Sequence, residues 1–529
     1  MSGRRAGTPA GGDLALTTDV LIVGGGLAAT WAALAAAQAG VRVVLVDKGY
    51  CGTSGVTATA GVTHWFVPPE RHRRAVAERH AAAAGLADPE WALRVLRTTW
   101  ERLPLLDRHY PFPVVDGAVD RTQNVRGPEY LRAMRGLVRR AGVRILDHHP
   151  ALELLLHPDG SVAGAAGVRR RAGGRWRIRA GAVVLATGGT AFRSHLLGSR
   201  GNTGDGHLMA AEAGAVLSGM EFSNYYTLAP AYSTMARSMS YLFGTYVDAD
   251  GREIELPAGP DRIRVLGEAM LRGPVHARLD KTPDWVRRTI HVVQPNFLLP
   301  FARRGIDPYT DLFPVTLLGE GTIRGVGGLA LADEDCQTHV PGLFAAGDAA
   351  SREPVVGAVS GGGSPNSAWA VSSGTWAGRA AARLARATGV RTGPVRPAGQ
   401  VGIRPAVRAA PCDVDAVIDL VREELNAYDK NMFRTREGLL RSAALLEDAW
   451  RHLRDHLTGT GREAVRAREA AALVAMGRWV KAAALHRTET RGMHWRTDHP
   501  RTDPAQTRRI TVGGLEEVRV DAPAREENA

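Results

Sequence analysis

Residues 19–48 read DVLIVGGGLAATWAALAAAQAGVRVVLVDK, and this stretch decides the fold. Val20–Val23 is a short, unbroken apolar run, as expected of a strand buried on both faces. Three glycines follow, then an Ala-rich helix over about Leu27–Ala39 closed by Gly40. A second apolar run, Val41–Val46, ends on Asp47. Strand, helix and strand in this order make a βαβ unit, and Gly24-x-Gly26-x-x-Ala29 lies where its helix begins. In that context Gly24 allows the tight turn and Gly26 lets a diphosphate approach the backbone at the positive end of the helix. Ala29 is small enough for close helix–strand packing. Asp47 stands where a carboxylate accepts hydrogen bonds from ribose hydroxyls. The pattern predicts dinucleotide binding.

Working outward, further segments point the same way. Ala182–Ala186 is another buried strand and runs into Thr187-Gly188-Gly189. Asn202-Thr203-Gly204-Asp205-Gly206 is a second Gly-rich turn. Gly342–Asp348 is a strand ending on an acid, followed by a Gly/Ser-rich loop over 357–364 and a helix from about Ser367 to Ala387. Asp159-Gly160 and Gly173-Gly174 are hairpin turn signals. Residues 68–145 and 413–488 carry helical periodicity, whereas 222–330 are mixed and rich in Pro, Tyr and Arg. These shifts predict a leader over 1–17 without structure, a first dinucleotide-binding part over 18–221 and an inserted α+β capping and substrate domain over 222–335. A second dinucleotide-binding part follows over 336–390, then a linker over 391–412, a helical C-terminal domain over 413–500 and a polar tail over 501–529.

Composition narrows the class. The 529 residues are 44% hydrophobic and 23% charged, which is globular rather than fibrous or disordered. Three cysteines (Cys51, Cys336, Cys412) cannot build a disulfide framework, and no run of 18 apolar residues occurs. A cytoplasmic protein with no membrane span is expected. The net charge of +13 invites a nucleic-acid reading, but its arginines are dispersed and lack interleaved aromatics. Only four lysines stand against 63 arginines, so the surplus reads as Arg-for-Lys usage on a surface. No nucleic-acid partner is expected.

The motifs together resemble the flavoprotein subunits of the succinate dehydrogenase/fumarate reductase family, which includes L-aspartate oxidase and the adenylylsulfate reductase flavoprotein. The matching stretches are Asp19–Lys48, Thr53–Val62, Val183–Gly189, Asn202–Phe222, Pro341–Asp348 and Arg487–Pro500. The resemblance implies an α/β fold: a Rossmann-like two-segment FAD-binding domain, an inserted α+β capping domain and a C-terminal helical domain. It also implies FAD, bound by Gly24, Gly26, Ala29, Asp47, Lys48, Thr53, Ser54, Gly61, Thr187, Gly188, Asp205 and Asp348. Asn366, Ser367 and Ala368 would lie toward the flavin ring. Asp348 stands where the family carries Glu. Ser54 aligns with the histidine through which respiratory members attach FAD covalently, so non-covalent FAD is expected. The stretch around Arg491, His494 and Arg496 would tie the helical domain to the FAD domain.

Dicarboxylate chemistry requires cations for two carboxylates and a general acid/base at the reacting carbon. At the four positions where the family supplies them, this chain has Tyr226, about Ser240, Ile323 and the glycines 361–363. A non-dicarboxylate substrate follows. Tyr226, Arg237 and Arg324 are the candidate catalytic residues, with Asn224, Tyr225, Tyr232 and Tyr241 as further pocket walls. No metal site is expected. The leading reading is an FAD-dependent oxidoreductase transferring hydride between flavin and a small metabolite under the cap. Two others stand beside it. One is a flavoprotein subunit resembling adenylylsulfate reductase, exchanging electrons with a ferredoxin-like iron–sulfur partner. The other is a non-catalytic flavin-binding scaffold.

Overall fold

The computed structural model describes residues 12–522 apart from 116, 123, 236, 237, 258 and 260. Its main sheet runs in the order 396–397, 151–156, 162–168, 175–185, 14–23, 43–46, 144–146, with 343–345 also on the 175–185 strand. The strands carrying the motifs are parallel: Val20–Val23 pairs with Val43–Val46 on one side and with Ala182–Leu185 on the other. Leu343–Ala345 lies parallel to Val183–Leu185. All four residues of Val43–Val46 are buried, as the unbroken apolar run predicts. The Asp159-Gly160 and Gly173-Gly174 turns join antiparallel neighbours.

The helix Leu27–Gln38 is buried along most of its length, which suits its alanines. The long helix Ser364–Thr388 packs against it: a side chain at Gly378 would place its Cβ 2.2 Å from the Ala32 carbonyl oxygen. Glycine here allows the two backbones to approach. The C-terminal helices Val414–Asn426, Arg436–His456 and Gly461–His486 join the same core through Leu425, Trp450 and Trp479.

Between the two dinucleotide-binding parts, Tyr225–Pro230, Phe313–Glu320, Val275–Arg278 and Thr245–Val247 form an antiparallel sheet. With the helices Asp261–Arg272 and Asp284–Val293 it makes the cap. The cap encloses its own apolar core of Tyr226, Tyr241, Tyr246, Phe301 and Phe313.

Four segments differ from the sequence expectation. The leader ends sooner than 17, because Leu14–Thr17 extends the first strand and pairs with Trp176–Arg179. Its alternating, half-buried residues were too few to stand out in a polar stretch. In the linker, Arg396–Pro397 pairs with Leu155–Leu156 at the sheet edge, a position that tolerates proline. Residues 321–335 return to the main body, where Gly328–Leu329 pairs with Leu217–Ser218. The polar tail contributes Thr511–Gly513, which pairs with Leu217–Ser218, and Arg519–Asp521 beyond it. This hairpin buries only Val512 and Gly513 among its strand residues, so periodicity could not announce it.

Candidate functional site

A cavity of about 2280 Å³ opens at the carboxyl ends of the parallel strands. A small-molecule pocket is typically about 300–1,000 Å³, so this one accommodates a cofactor and a second ligand together. Each strand delivers its motif to the wall: Gly24 and Gly26, Asp47 and Lys48, Thr187 and Gly188, and Asp348. The loop 53–63, Asp205, Asn366 and Ser367 complete that side. Open α/β sheets bind ligands at this place because loops and helix N-termini converge there.

The glycines of the fingerprint have distinct duties. Gly24 sits at φ +123°, and a Cβ there would meet the Ala186 carbonyl oxygen at 2.2 Å, so the fold itself demands glycine. At Gly26 the nearest atom to such a Cβ is 4.0 Å away. No neighbouring atom requires glycine at 26, and the open space there leaves room for a ligand against the backbone. Gly26 caps the helix without a side-chain hydrogen bond, which leaves the first-turn amides for a ligand.

Unsatisfied polar atoms mark the same wall. Asp47 is 3% exposed; one carboxylate oxygen accepts from the Gly49 amide (2.5 Å) and the Ser54 hydroxyl (2.9 Å). The other, Oδ2, has no partner. Burial, resisted by those two hydrogen bonds, pushes the Asp47 carboxyl above its usual pKa. Thr187 Oγ1 and both amide atoms of Asn366 are also buried without partners. A buried polar atom left unpaired costs about 1–3 kcal/mol. A group offering hydroxyls and carbonyls to these atoms, as FAD does, fits this wall.

Lys48 is held by Asp205 (2.6 Å), Glu469 (3.0 Å) and Thr203 (3.1 Å). Burial works against its ammonium, but the two carboxylates raise its pKa above the usual value. Lys48 and Asp205 therefore reach the wall as partners of one another. Asp348 is paired with the buried Arg352, which also donates to the carbonyls of Thr322 and Ile323. Ala29 is fully buried and off the wall, in keeping with a packing role. Ala368 departs from its expected place: it is fully buried, and the wall near it is Asn366, Ser367 and Ala370. The Ser367 hydroxyl turns back to the carbonyls of Thr63, Gly363 and Ser364.

On the substrate side the structure corrects the tyrosines. Tyr226 is 1% exposed, and its hydroxyl donates to the Asn426 carbonyl (3.1 Å) and accepts from Asn431 (3.3 Å). It belongs to the cap core and does not reach the cavity, because its strand side faces the apolar cluster. Tyr241 packs against Phe297 and Tyr232 against Phe301 in that core. Asn224 is buried and absent from the wall. Tyr225 reaches the site indirectly, with its hydroxyl 3.3 Å from Arg324 Nη1. Arg324, Ile323, Gly362 and Gly363 do line the cavity. Ser240 is fully buried. Arg237 lies outside the described residues.

One loop escaped the sequence reading. Phe192, Arg193 and His195 all adopt positive φ (48°, 58° and 66°), a costly choice for non-glycine residues. Arg193 and His195 line the cavity, and Arg193 also pairs with Glu469 at 2.8 Å. Ser194 donates to the Gly319 carbonyl at the foot of the cap, and Asn426 donates to the Phe192 carbonyl. The loop thus joins all three parts of the molecule at the cavity. Only Phe-Arg-Ser-His stood in the sequence there, with no turn glycine to signal the bend.

The Arg487–Pro500 stretch sits at the junction as expected. Arg487 pairs with Glu221 (2.8 Å) and Glu489 (2.9 Å), and Arg491 with Glu489 (2.7 Å). Arg434 donates to His494 Nδ1 (2.7 Å), leaving Nε2 to donate to the Arg487 carbonyl (3.0 Å). Burial holds His494 neutral, well below its usual pKa.

Comparison with known proteins agrees with this geometry. The FAD binding domain family model matches residues 19–365, and the model of the fumarate reductase flavoprotein C-terminal domain matches 424–523. L-aspartate oxidase of Streptomyces coelicolor is 28% identical over 97% of this chain and 93% of its own. The enzyme of that name from Mycobacterium tuberculosis is 28% identical over 94% of this chain and 96% of its own. Among solved structures, E. coli quinol fumarate reductase superposes with a TM-score of 0.81 at 21% identity, covering 97% of this chain and 98% of that one. Adenylylsulfate reductase from Archaeoglobus fulgidus gives 0.76 at 18% identity, with 97% of each chain covered.

Proposed function

The chain belongs to the FAD-binding flavoprotein family of fumarate reductase and L-aspartate oxidase, and from that premise we propose that it is an FAD-dependent oxidoreductase whose substrate is not a dicarboxylate. FAD, when bound, supplies two-electron chemistry by accepting or giving up a hydride. The first-turn amides beside Gly26 would hold its diphosphate, and Asp47 would accept hydrogen bonds from the ribose hydroxyls. Thr187, Asn366 and the Asp205–Lys48 pair would hold the remainder. The cap then covers the substrate and excludes water.

The observation that carries this reading is the pairing of an intact cofactor wall with an altered substrate wall. Ile323 and Gly362–Gly363 line the cavity, Tyr226 is turned away from it and Ser240 is buried. L-aspartate, the substrate by which the similar L-aspartate oxidases are named, carries two carboxylates. None of the four altered positions offers them a cation. We therefore expect no peroxide from L-aspartate, and no succinate or fumarate turnover. Robust activity on any of the three would overturn the substrate assignment.

The flavin is held without a covalent bond. Ser54, at the attachment position, spends its hydroxyl on Asp47 and the Tyr50 carbonyl, and an alcohol is a poor nucleophile. Acid precipitation should release FAD into the supernatant; flavin remaining with the pellet would contradict this.

A further inference from the structure

The cap wall carries more information than the four altered positions. Its contribution to the cavity is Met235, Met239, Leu242, Trp285, Ile290 and Phe297, with a few neutral polar neighbours and no charge among the described cap residues. Met239 (43%), Leu242 (59%) and Trp285 (53%) are strongly exposed. Isolated exposed apolar residues are ordinary. Here three lie on two elements, 239–243 and 284–293, in the wall of a single cavity. The Tyr241 ring, from the first element, packs against Phe297, which follows the second, with ring centroids 5.7 Å apart. Such a patch is stabilised when an apolar body covers it.

At the foot of the cap, next to the altered position Ile323, the cavity wall carries the cation Arg324. Arg324 follows the Phe313–Glu320 strand and keeps 24% of its side chain exposed. The Tyr225 hydroxyl fixes the guanidinium from one side at 3.3 Å, and Glu320 lies 3.9 Å from Nε. Gly363 is its neighbour across the loop: a Cβ there would be 3.8 Å from Arg324 Nη2. Other cations line the cavity, among them Arg200 and three that face carboxylates: Arg126 with Glu129 at 3.0 Å, Arg193 with Glu469 at 2.8 Å, and Arg466 with Asp415. Arg324 is set apart by adjoining the altered positions Ile323 and Gly363 and by its longer, 3.9 Å contact with a carboxylate.

We propose that the substrate is an apolar or aromatic body bearing one anionic group, the anion held by Arg324 and the body laid against Met239, Leu242 and Trp285. This assignment rests on the oxidoreductase reading above and gives it a substrate class.

The test uses FAD-loaded full-length protein and three probes: 3-phenylpropionate, its neutral counterpart 3-phenylpropan-1-ol, and succinate. Binding is read from perturbation of the visible flavin spectrum, and flavin content is measured in every sample. 3-Phenylpropionate should bind more tightly than succinate. Trp285→Ala should weaken it about tenfold or more, since an aromatic contact of this size is worth over 1.4 kcal/mol. Arg324→Gln should weaken 3-phenylpropionate to a similar extent and leave 3-phenylpropan-1-ol unchanged. Both variants should retain FAD, because Trp285 is exposed and glutamine keeps a hydrogen bond to Tyr225 within reach. Tighter succinate binding, a silent spectrum with the aryl acid, or unchanged binding in Trp285→Ala would each overturn the proposal. Protein that takes up no FAD would instead remove the oxidoreductase reading.

Discussion

Two glycines two residues apart answer to different masters. Gly24 is required by the chain, through its positive φ and its contact with Ala186, whereas Gly26 faces open space. Gly24→Ala should therefore lower the melting temperature and impair folding. Gly26→Val should fold normally yet lose FAD affinity by tenfold or more, read by flavin content and thermal denaturation side by side. Equal loss of stability in both would show that Gly26 is structural. Both residues, with Asp47, were legible in the sequence because phosphate and ribose contacts restrict residue type at fixed spacing. The roles of Tyr226 and Ala368 were not legible. Strand alternation sends neighbouring side chains to opposite faces, so Tyr225 meets Arg324 while Tyr226 enters the cap core. Helix phase likewise turns Ala368 inward.

At the scale of elements, parallel strands and long helices declared themselves through unbroken apolar runs and Ala-rich periodicity. Short edge pieces did not: Leu14–Thr17, Arg396–Pro397 and the hairpin of 511–521 bury too little for a period to emerge. The junction of the C-terminal helices with the main body is built from buried charge. Arg487→Met would strand the fully buried Glu221 carboxylate and leave Glu489 with Arg491 alone, and should cost about 3–5 kcal/mol by denaturant unfolding. Beside them, Glu353 is fully buried, and burial with the nearby Glu221 pushes its pKa up to about 7. The folded state then holds a proton that the unfolded chain releases near its ordinary value of 4.5. Stability from this group is complete below about 4.5 and is lost as pH rises through about 7. Glu353→Gln should flatten the pH dependence of the melting temperature across that window. An unchanged slope would assign the dependence to another group.

Across the whole molecule, the arginine surplus acquires a different meaning. Arg352, Arg434, Arg468, Arg478, Arg487 and Arg496 are each 3% exposed or less and tie segments together, so part of the basic charge is internal rather than surface usage. Among the described residues no helix is long and apolar enough to cross a membrane. An iron–sulfur partner that docks on the basic surface would speed flavin reduction, and the gain, measured with and without a ferredoxin-type protein, should fall as salt rises. The substrate lay beyond the sequence because the cap wall is assembled from residues 235–297, whose order carries no motif. An intact FAD site beneath a cap that refuses dicarboxylates has a decisive readout, the anaerobic visible spectrum of the purified protein mixed with L-aspartate. The oxidised flavin spectrum should persist unchanged. Bleaching of the flavin by L-aspartate would contradict it.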